Sequence, residues 1–180
     1  MNKNNLKVIE SIPMGDDDIR KYLPNAKILT YPQLSKYNKI EDVLPNNKDY
    51  FIVLYLDSPN SGHWETVMRY DDKIEVFDSY GKQIDNPLKW QSVKAECDLG
   101  ECEKYLTNLL DNSDLPIYYN NIDYQKDNPN IQSCGRHAVY RIIQMLNNNL
   151  DGAGYYKHMK AMQKKTKLNY DDIVTNYINQ

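Results

Sequence analysis

The apolar positions of this chain follow two different periods. Phe51-Ile52-Val53-Leu54-Tyr55-Leu56 is an unbroken apolar run of strand length, which predicts a central strand covered on both faces. After the loop Asp57-Ser58-Pro59-Asn60-Ser61-Gly62, His63 to Tyr70 reads as a second strand. Asp71-Asp72 reads as a hairpin turn and Lys73 to Asp78 as a third strand, ended by Ser79-Tyr80-Gly81. Past Cys134 the period lengthens: Ala138, Val139, Ile142, Ile143 and Leu146 recur at helical spacing. They draw one apolar stripe on a helix whose first turn holds the cysteine. The preceding Lys126-Asp127-Asn128-Pro129-Asn130 are turn-forming types, so a polar loop delivers the chain to that helix.

Weaker patterns fill in the rest. Asp16-Asp17-Asp18 ahead of Ile19, Tyr22 and Leu23 predicts a short N-capped helix stopped by Pro24. Tyr31 to Tyr37 and Ile40 to Leu44 suggest two further short helices, Asn86 to Gln91 another, and Glu101 to Asp111 a better one. Leu115-Pro116-Ile117-Tyr118-Tyr119 reads as a strand leading into the loop that carries Gln125. Tyr155 to Met162 and Tyr170 to Ile178 close the chain as helices, the second capped around Asn169-Tyr170-Asp171-Asp172. The order predicts an α+β fold, with the Cys134 helix packed on a mostly antiparallel sheet. Neither a linker nor a repeat divides residues 1–180, so one domain is expected.

Strand parity brings two candidate residues together. If Asp71 and Asp72 form a two-residue turn, Asp78 opposes Glu65. His63 then lies two residues along on the same face, in diagonal reach of Asp78.

Composition narrows the class. The net charge of −3 and pI near 5.6 argue against a general nucleic-acid binder, and Lys164-Lys165-Thr166-Lys167 reads as a solvated helix end. Heavy use of Asn (21) and Tyr (16 against 2 Phe) is the skew that A+T-rich codons would give. No apolar run approaches the roughly 18 residues of a membrane span, and Met1-Asn2-Lys3-Asn4-Asn5 lacks a signal-peptide core. A soluble, intracellular protein with no membrane partner is expected. Three cysteines, an odd number, do not make a disulfide framework, and a reducing compartment suits a working thiol. Cys97 and Cys102 have no histidine nearby, which argues against zinc; no metal and no cofactor is expected.

Cys134 is placed for chemistry. Backbone N–H groups and the positive dipole end at the start of a helix favour a thiolate over a thiol. A thiol nucleophile also needs an imidazole within reach, and a group that holds the imidazole in the right tautomer. His63 gains that second group through the parity with Asp78. His137, one turn after Cys134, has no orienting carboxylate at a fixed spacing but stays an alternative. His158, in a Lys-rich stretch, reads as a surface residue.

Gly62-His63-Trp64, then Val76-Phe77-Asp78-Ser79-Tyr80-Gly81, then a glutamine in a polar loop, then Cys134-Gly135 opening a helix, together resemble one clan of cysteine peptidases. The clan includes the adenovirus maturation protease (adenain) and the SUMO-specific, ubiquitin-like-protein proteases. The phrases His63-Trp64-Glu65, Phe77-Asp78-Ser79-Tyr80-Gly81 and Cys134-Gly135-Arg136-His137 are most similar to proteases of virophages, Polinton-type elements and giant viruses. By this resemblance Cys134 is the nucleophile, His63 the general base and then acid, and Asp78 its orienting carboxylate. Trp64 would pack beside the histidine and bind substrate with Gly135, and the backbone N–H at Cys134 would help hold the oxyanion. The glutamine departs from the pattern: Gln125 stands nine residues ahead of Cys134 and Gln132 two, one further and one nearer than in the family. Gln125 is preferred, because a residue directly before the helix cannot easily swing its amide back over the thiol.

The resemblance implies an endopeptidase that trims capsid or scaffold precursors during virion maturation, located in the virion or in a virus factory of the host cytoplasm. Its partner would be a protein substrate. Removal of a ubiquitin-like modifier, acyl transfer with the same triad, and a non-catalytic binding module on the same fold are the rival readings.

Overall fold

The register of the central hairpin follows from its turn. In the computed structural model, which describes residues 3–179, Tyr70 N–H donates to Lys73 O across Asp71-Asp72. The pairing Arg69–Ile74, Met68–Glu75, Val67–Val76 and Thr66–Phe77 runs out from that two-residue turn, in the register predicted. Met1 and Asn2, which open the N-terminal stretch read above for a signal-peptide core, lie outside the described residues.

The chain divides into two compact units. One, residues 26–78 and 82–121, holds a five-stranded sheet: β1 (Lys27–Thr30), β2 (Tyr50–Ser58), β3 (Ser61–Arg69), β4 (Ile74–Phe77) and β5 (Ile117–Tyr119), in spatial order β1-β2-β3-β4-β5. The central pairs β2–β3 and β3–β4 are antiparallel, whereas the outer pairs β1–β2 and β4–β5 are parallel. The fold class is therefore α+β, with an antiparallel centre and parallel edges. β2 is buried from Phe51 to Tyr55, as its unbroken apolar run predicts. Phe51, Val53 and Tyr55 pack with Val67, Val76, Leu34, Ile40, Leu106 and Leu109 in the core of this unit. Asp85, buried with φ +58°, sits among them. It accepts from Tyr31 Oη (2.8 Å), Tyr55 Oη (2.9 Å) and Thr107 N and Oγ1 (3.0 and 2.6 Å). Each lone-pair direction of this buried carboxylate has a donor, so its charge is matched inside the core.

The sequence reading differs at four places here, one of them the helix Val93–Asp98, which it did not foresee. Lys27–Thr30 forms an edge strand, although a four-residue run is too short to show a period. Tyr31–Lys36 and Pro87–Lys89 are 3-10 turns rather than α-helices. Each carries a proline in its first turn, where the missing N–H does no harm. Short helices α3 (Ile40–Val43), α4 (Val93–Asp98) and α5 (Tyr105–Asp111) complete this unit.

The other unit, residues 1–25, 79–81 and 122–180, is helical over its described residues. It contains α1 (Lys3–Glu10), α2 (Asp16–Tyr22), α6 (Cys134–Asn148), α7 (Gly152–Thr166) and α8 (Tyr170–Tyr177). Helix α6 starts at Cys134, as its stripe predicts, and ends on Asn149 in the left-handed region. It is buried on more than one face: His137 and Arg141 are as enclosed as Val139 and Ile142. Helix α8 is capped by Asn169, which accepts from Asp172 N (2.9 Å), while Asp172 accepts from Asn169 N (3.3 Å). Among the described residues, no helix is long and apolar enough to cross a membrane.

Candidate active site

His63 reaches its position through a glycine. Gly62 pairs with Leu56 across the β2–β3 hairpin, and a Cβ there would lie 1.7 Å from the Tyr55 carbonyl oxygen. The strands can close only around glycine, and His63 follows at once, paired with Tyr55 and 6% exposed. Asp78 directly follows β4, so the register carries it diagonally across to His63. The result is His63 Nε2 at 2.7 Å from Asp78 Oδ1, both side chains buried. Asp78 is held from three directions. Its Oδ2 accepts from Lys82 N (2.9 Å), its N–H donates to Asn120 Oδ1 (2.8 Å), and its carbonyl accepts from Asn120 Nδ2 (2.7 Å). An ionised carboxylate facing Nε2 stabilises the tautomer with its proton on Nε2, which leaves Nδ1 as the basic nitrogen.

Two neighbours of this pair, Asn120 and Trp90, escape sequence reading. Asn120 orients Asp78 from beyond β5. Trp90, half exposed, stands edge-on to the His63 ring with centroids 5.1 Å apart. Trp64, next to His63 in β3, points to the opposite strand face and is 5% exposed. Glu65 shares the face of His63, is fully buried, and has no hydrogen-bond partner on either carboxyl oxygen. Burial first, and then the charge of Asp78, push its pKa well above the usual carboxylate range, which favours its neutral form. His63, Glu65 and Asp78 each present a ligand-type atom within 4.8 Å of the others. The 2.7 Å separation of Nε2 and Oδ1 is a hydrogen bond; two ligands at ~2.1 Å from one zinc ion would stand roughly 3.4 Å apart.

Cys134 lies in the helical unit. Cys134 is the first residue of α6 and 7% exposed. At this position the backbone N–H groups of the first turn have no partner within the helix, and the dipole favours negative charge. Gly135 is buried beside it in the same turn. Arg136 follows, its guanidinium pKa lowered by burial while the Cys134 sulfur acts against that shift. It donates to the Ile12 and Gln132 carbonyls (2.7 and 3.3 Å).

Gln125 is buried and fixed. Its Nε2 donates to Tyr80 Oη (3.0 Å) and Ile131 O (3.1 Å), and its Oε1 accepts from Ser79 Oγ (2.8 Å). Both amide hydrogens thus have acceptors, so donation to an oxyanion would redirect one of them. Tyr80 follows Ser79 in the motif Asp78-Ser79-Tyr80-Gly81. Gly81 sits at φ +64°, where a Cβ would lie 2.7 Å from the Ile122 backbone. Gln132 is exposed, and its amide donates to Pro129 O (3.1 Å).

Tertiary structure revises three readings of the sequence. His137 does have an orienting carboxylate, Asp171 on α8, with Nε2–Oδ1 at 3.1 Å; it lies 34 residues away, beyond any local pattern. His158 is half-buried rather than on the surface and is bonded to Tyr140 Oη at 2.8 Å. Cys97 and Cys102 form a disulfide across α4, five residues apart, where no pairing was expected. Cys134 lies outside this disulfide and is buried.

An α+β protein with a carboxylate-paired histidine and, at a helix start, a cysteine outside the disulfide is the class that fold and side chains define. No family model matches the chain. It is 34% identical over 172 residues to the uncharacterised protein V9 of Sputnik virophage, covering 94% of this chain and 96% of that protein. The chain belongs to the family of this virophage protein. Among solved structures, the pS273R protease of ASFV aligns with a TM-score of 0.45 at 13% identity, over 77% of this chain. A second structure of that protease aligns with a TM-score of 0.33 at 15% identity, over 80% of this chain. The chain spans less than three fifths of the length in the second case and 59% in the first.

Proposed function

We propose that this protein is a cysteine endopeptidase in which Cys134, His63 and Asp78 act as nucleophile, general base and orienting carboxylate. The observation that carries the reading is the buried His63–Asp78 pair at 2.7 Å, in a chain whose one cysteine outside the disulfide opens a buried helix. Asp78 on Nε2 leaves Nδ1 of His63 to take the proton of the Cys134 thiol. The thiolate adds to the scissile carbonyl carbon, and the carbonyl oxygen becomes the oxyanion. Backbone N–H at Cys134 and the Gln125 amide stabilise it. Collapse of the tetrahedral adduct breaks the C–N bond, and His63 protonates the departing amine. Water, deprotonated by His63, then adds to the thioester, and its collapse frees the acid and returns the proton to the thiol–imidazole pair. Burial of Gln125 against exposure of Gln132 supports Gln125 as the side-chain donor. Trp64 and Gly135 remain the proposed substrate-side residues from the sequence, and Trp90 joins them by its contact with His63.

The substrate proposed is a viral capsid or scaffold precursor, and kinship with a virophage protein supports a role in virion maturation. Purified protein is incubated with a capsid precursor encoded beside it, with a ubiquitin-like vinyl-sulfone probe, and with acetyl-CoA. Precursor cleavage by the wild type and none by Cys134→Ala, with unchanged circular dichroism, is expected. Probe labelling without precursor cleavage would favour deconjugation, and acetyl-CoA turnover would favour acyl transfer. Full cleavage by Cys134→Ala would refute the nucleophile.

A further inference from the structure

We infer that Asp171 is a positioning residue that clamps the Gln125 side and the Cys134 side of the active-site loop to one carboxylate. The inference rests on the proposed roles of Gln125 and Cys134. Three bonds converge on Asp171, which is fully buried at the start of α8. Ser133 Oγ donates to its Oδ1 at 2.7 Å, His137 Nε2 meets the same oxygen at 3.1 Å, and Lys126 N donates to Oδ2 at 3.2 Å. Ser133 immediately precedes the thiol residue, His137 lies one turn into its helix, and Lys126 immediately follows Gln125. One side chain thus fixes both ends of the segment between the two functional groups.

The need for such a clamp lies in the chain itself. Eight residues lie between Gln125 and Cys134, and Lys126 to Asn130 are exposed turn formers. A loop of that length has many conformations, each misplacing the amide relative to the thiol. Within it, Gln132 N also donates to Glu10 O at 2.6 Å. Between the Asp171 bonds and that anchor, the loop keeps only its tip free.

Charge and tautomer agree with this role. Burial alone would raise the Asp171 pKa, but bonds from His137, Ser133 and Lys126 N hold it below the usual carboxylate range. His137 Nδ1 is buried without a partner, so a ring proton on Nε2, facing Asp171, leaves no N–H unsatisfied at Nδ1. His137 is therefore a structural donor to Asp171.

Two variants cut the clamp at different ends. Asp171→Asn offers one acceptor where the carboxylate offers two, so the Lys126 or the Ser133/His137 side must face a donor. Ser133→Ala removes only the bond next to Cys134. For Asp171→Asn, kcat is expected to fall by about 10-fold or more with KM within about 2-fold of wild type. Affinity for a peptide aldehyde, whose adduct oxygen lies where the oxyanion forms, should fall by a similar factor. For Ser133→Ala, iodoacetamide should alkylate Cys134 several-fold more slowly at equal pH, with the melting temperature nearly unchanged. Wild-type kcat, aldehyde affinity and alkylation rate in both variants would overturn the clamp. So would a kcat loss in Asp171→Asn that only tracks the unfolded fraction. Amide exchange in residues 126–134 needs no substrate and separates this inference from the peptidase reading. If the wild type cleaves nothing, faster exchange in Asp171→Asn still supports the clamp, and unchanged exchange refutes it.

Discussion

Asp78→Asn is the most searching test of the His63–Asp78 pair, because the surroundings of Asp78 dictate what the new amide must do. Its two carboxylate oxygens each accept from a fixed donor, His63 Nε2 at 2.7 Å and Lys82 N at 2.9 Å. An asparagine supplies one acceptor. If its oxygen stays with Lys82 N, its NH2 group faces His63 Nε2 and draws the ring into the tautomer with the proton on Nδ1. That tautomer cannot take the thiol proton at Nδ1. If the amide turns over, a buried donor faces Lys82 N–H unsatisfied, at about 1–3 kcal/mol. Either way the bond between carboxylate and imidazolium is lost, and such charged hydrogen bonds contribute roughly 1.5–3 kcal/mol. Together these come to about 2.5–6 kcal/mol, or roughly a 10²- to 10⁴-fold loss in kcat/KM. The backbone of residue 78 should stay in place, because Asn120 binds its N–H and C=O rather than its side chain. The assay is kcat/KM on a fluorogenic peptide, with thermal melting as the control for folding. Retention of more than about a third of wild-type kcat/KM, in a variant that melts normally, would refute the tautomer argument.

Gln125→Ala removes the amide bonded to Tyr80, Ile131 and Ser79, and turnover should fall about 100- to 1000-fold in steady-state assays; wild-type turnover would sink the donor assignment. Glu101, whose Oε1 accepts from Leu56 N at 2.8 Å, has its pKa raised to about 8, first by burial, against the opposing Leu56 N–H, and then by Glu96. A carboxyl whose folded pKa is raised favours folding when protonated, so its stabilisation is complete below about pH 4.5 and fades as pH rises toward about 8. Glu101→Gln keeps the acceptor and removes the ionisation. Its melting temperature should match wild type near pH 4.5 and exceed it increasingly up to pH 8; parallel curves would contradict the assignment. Gly62→Ala forces a methyl carbon to within 1.7 Å of the Tyr55 carbonyl oxygen. The strands must separate, so the unfolding free energy from urea titration should drop by at least the upper end of the ~1–3 kcal/mol typical of overpacking.

The parts of the candidate site that were legible in the sequence are those set by short-range geometry. A two-residue turn and the two-residue period of a strand were enough to bring Asp78 to His63, because the strands are consecutive. The helical period was enough to start α6 at Cys134. Asn120, Trp90 and the Ser79–Tyr80 cradle of Gln125 were not legible, since they come from turns and loops without a period. Glu65 was visible in the strand. That it is buried without a partner was not, because polarity alone suggests an exposed side chain.

By itself, then, the sequence determined the central hairpin and its register, the start of the cysteine helix, and the residue types that point to thiol chemistry. Each depends on repeats of two or three to four residues, which backbone geometry imposes over short spans. Tertiary structure alone decided that the outer strands pair in parallel, that Asp85 anchors Tyr31 and Tyr55, and that His137 belongs to Asp171. Those pairings join residues 24 to 54 positions apart or more. At such separations the chain offers too many possible contacts for local pattern to select one, and packing makes the choice.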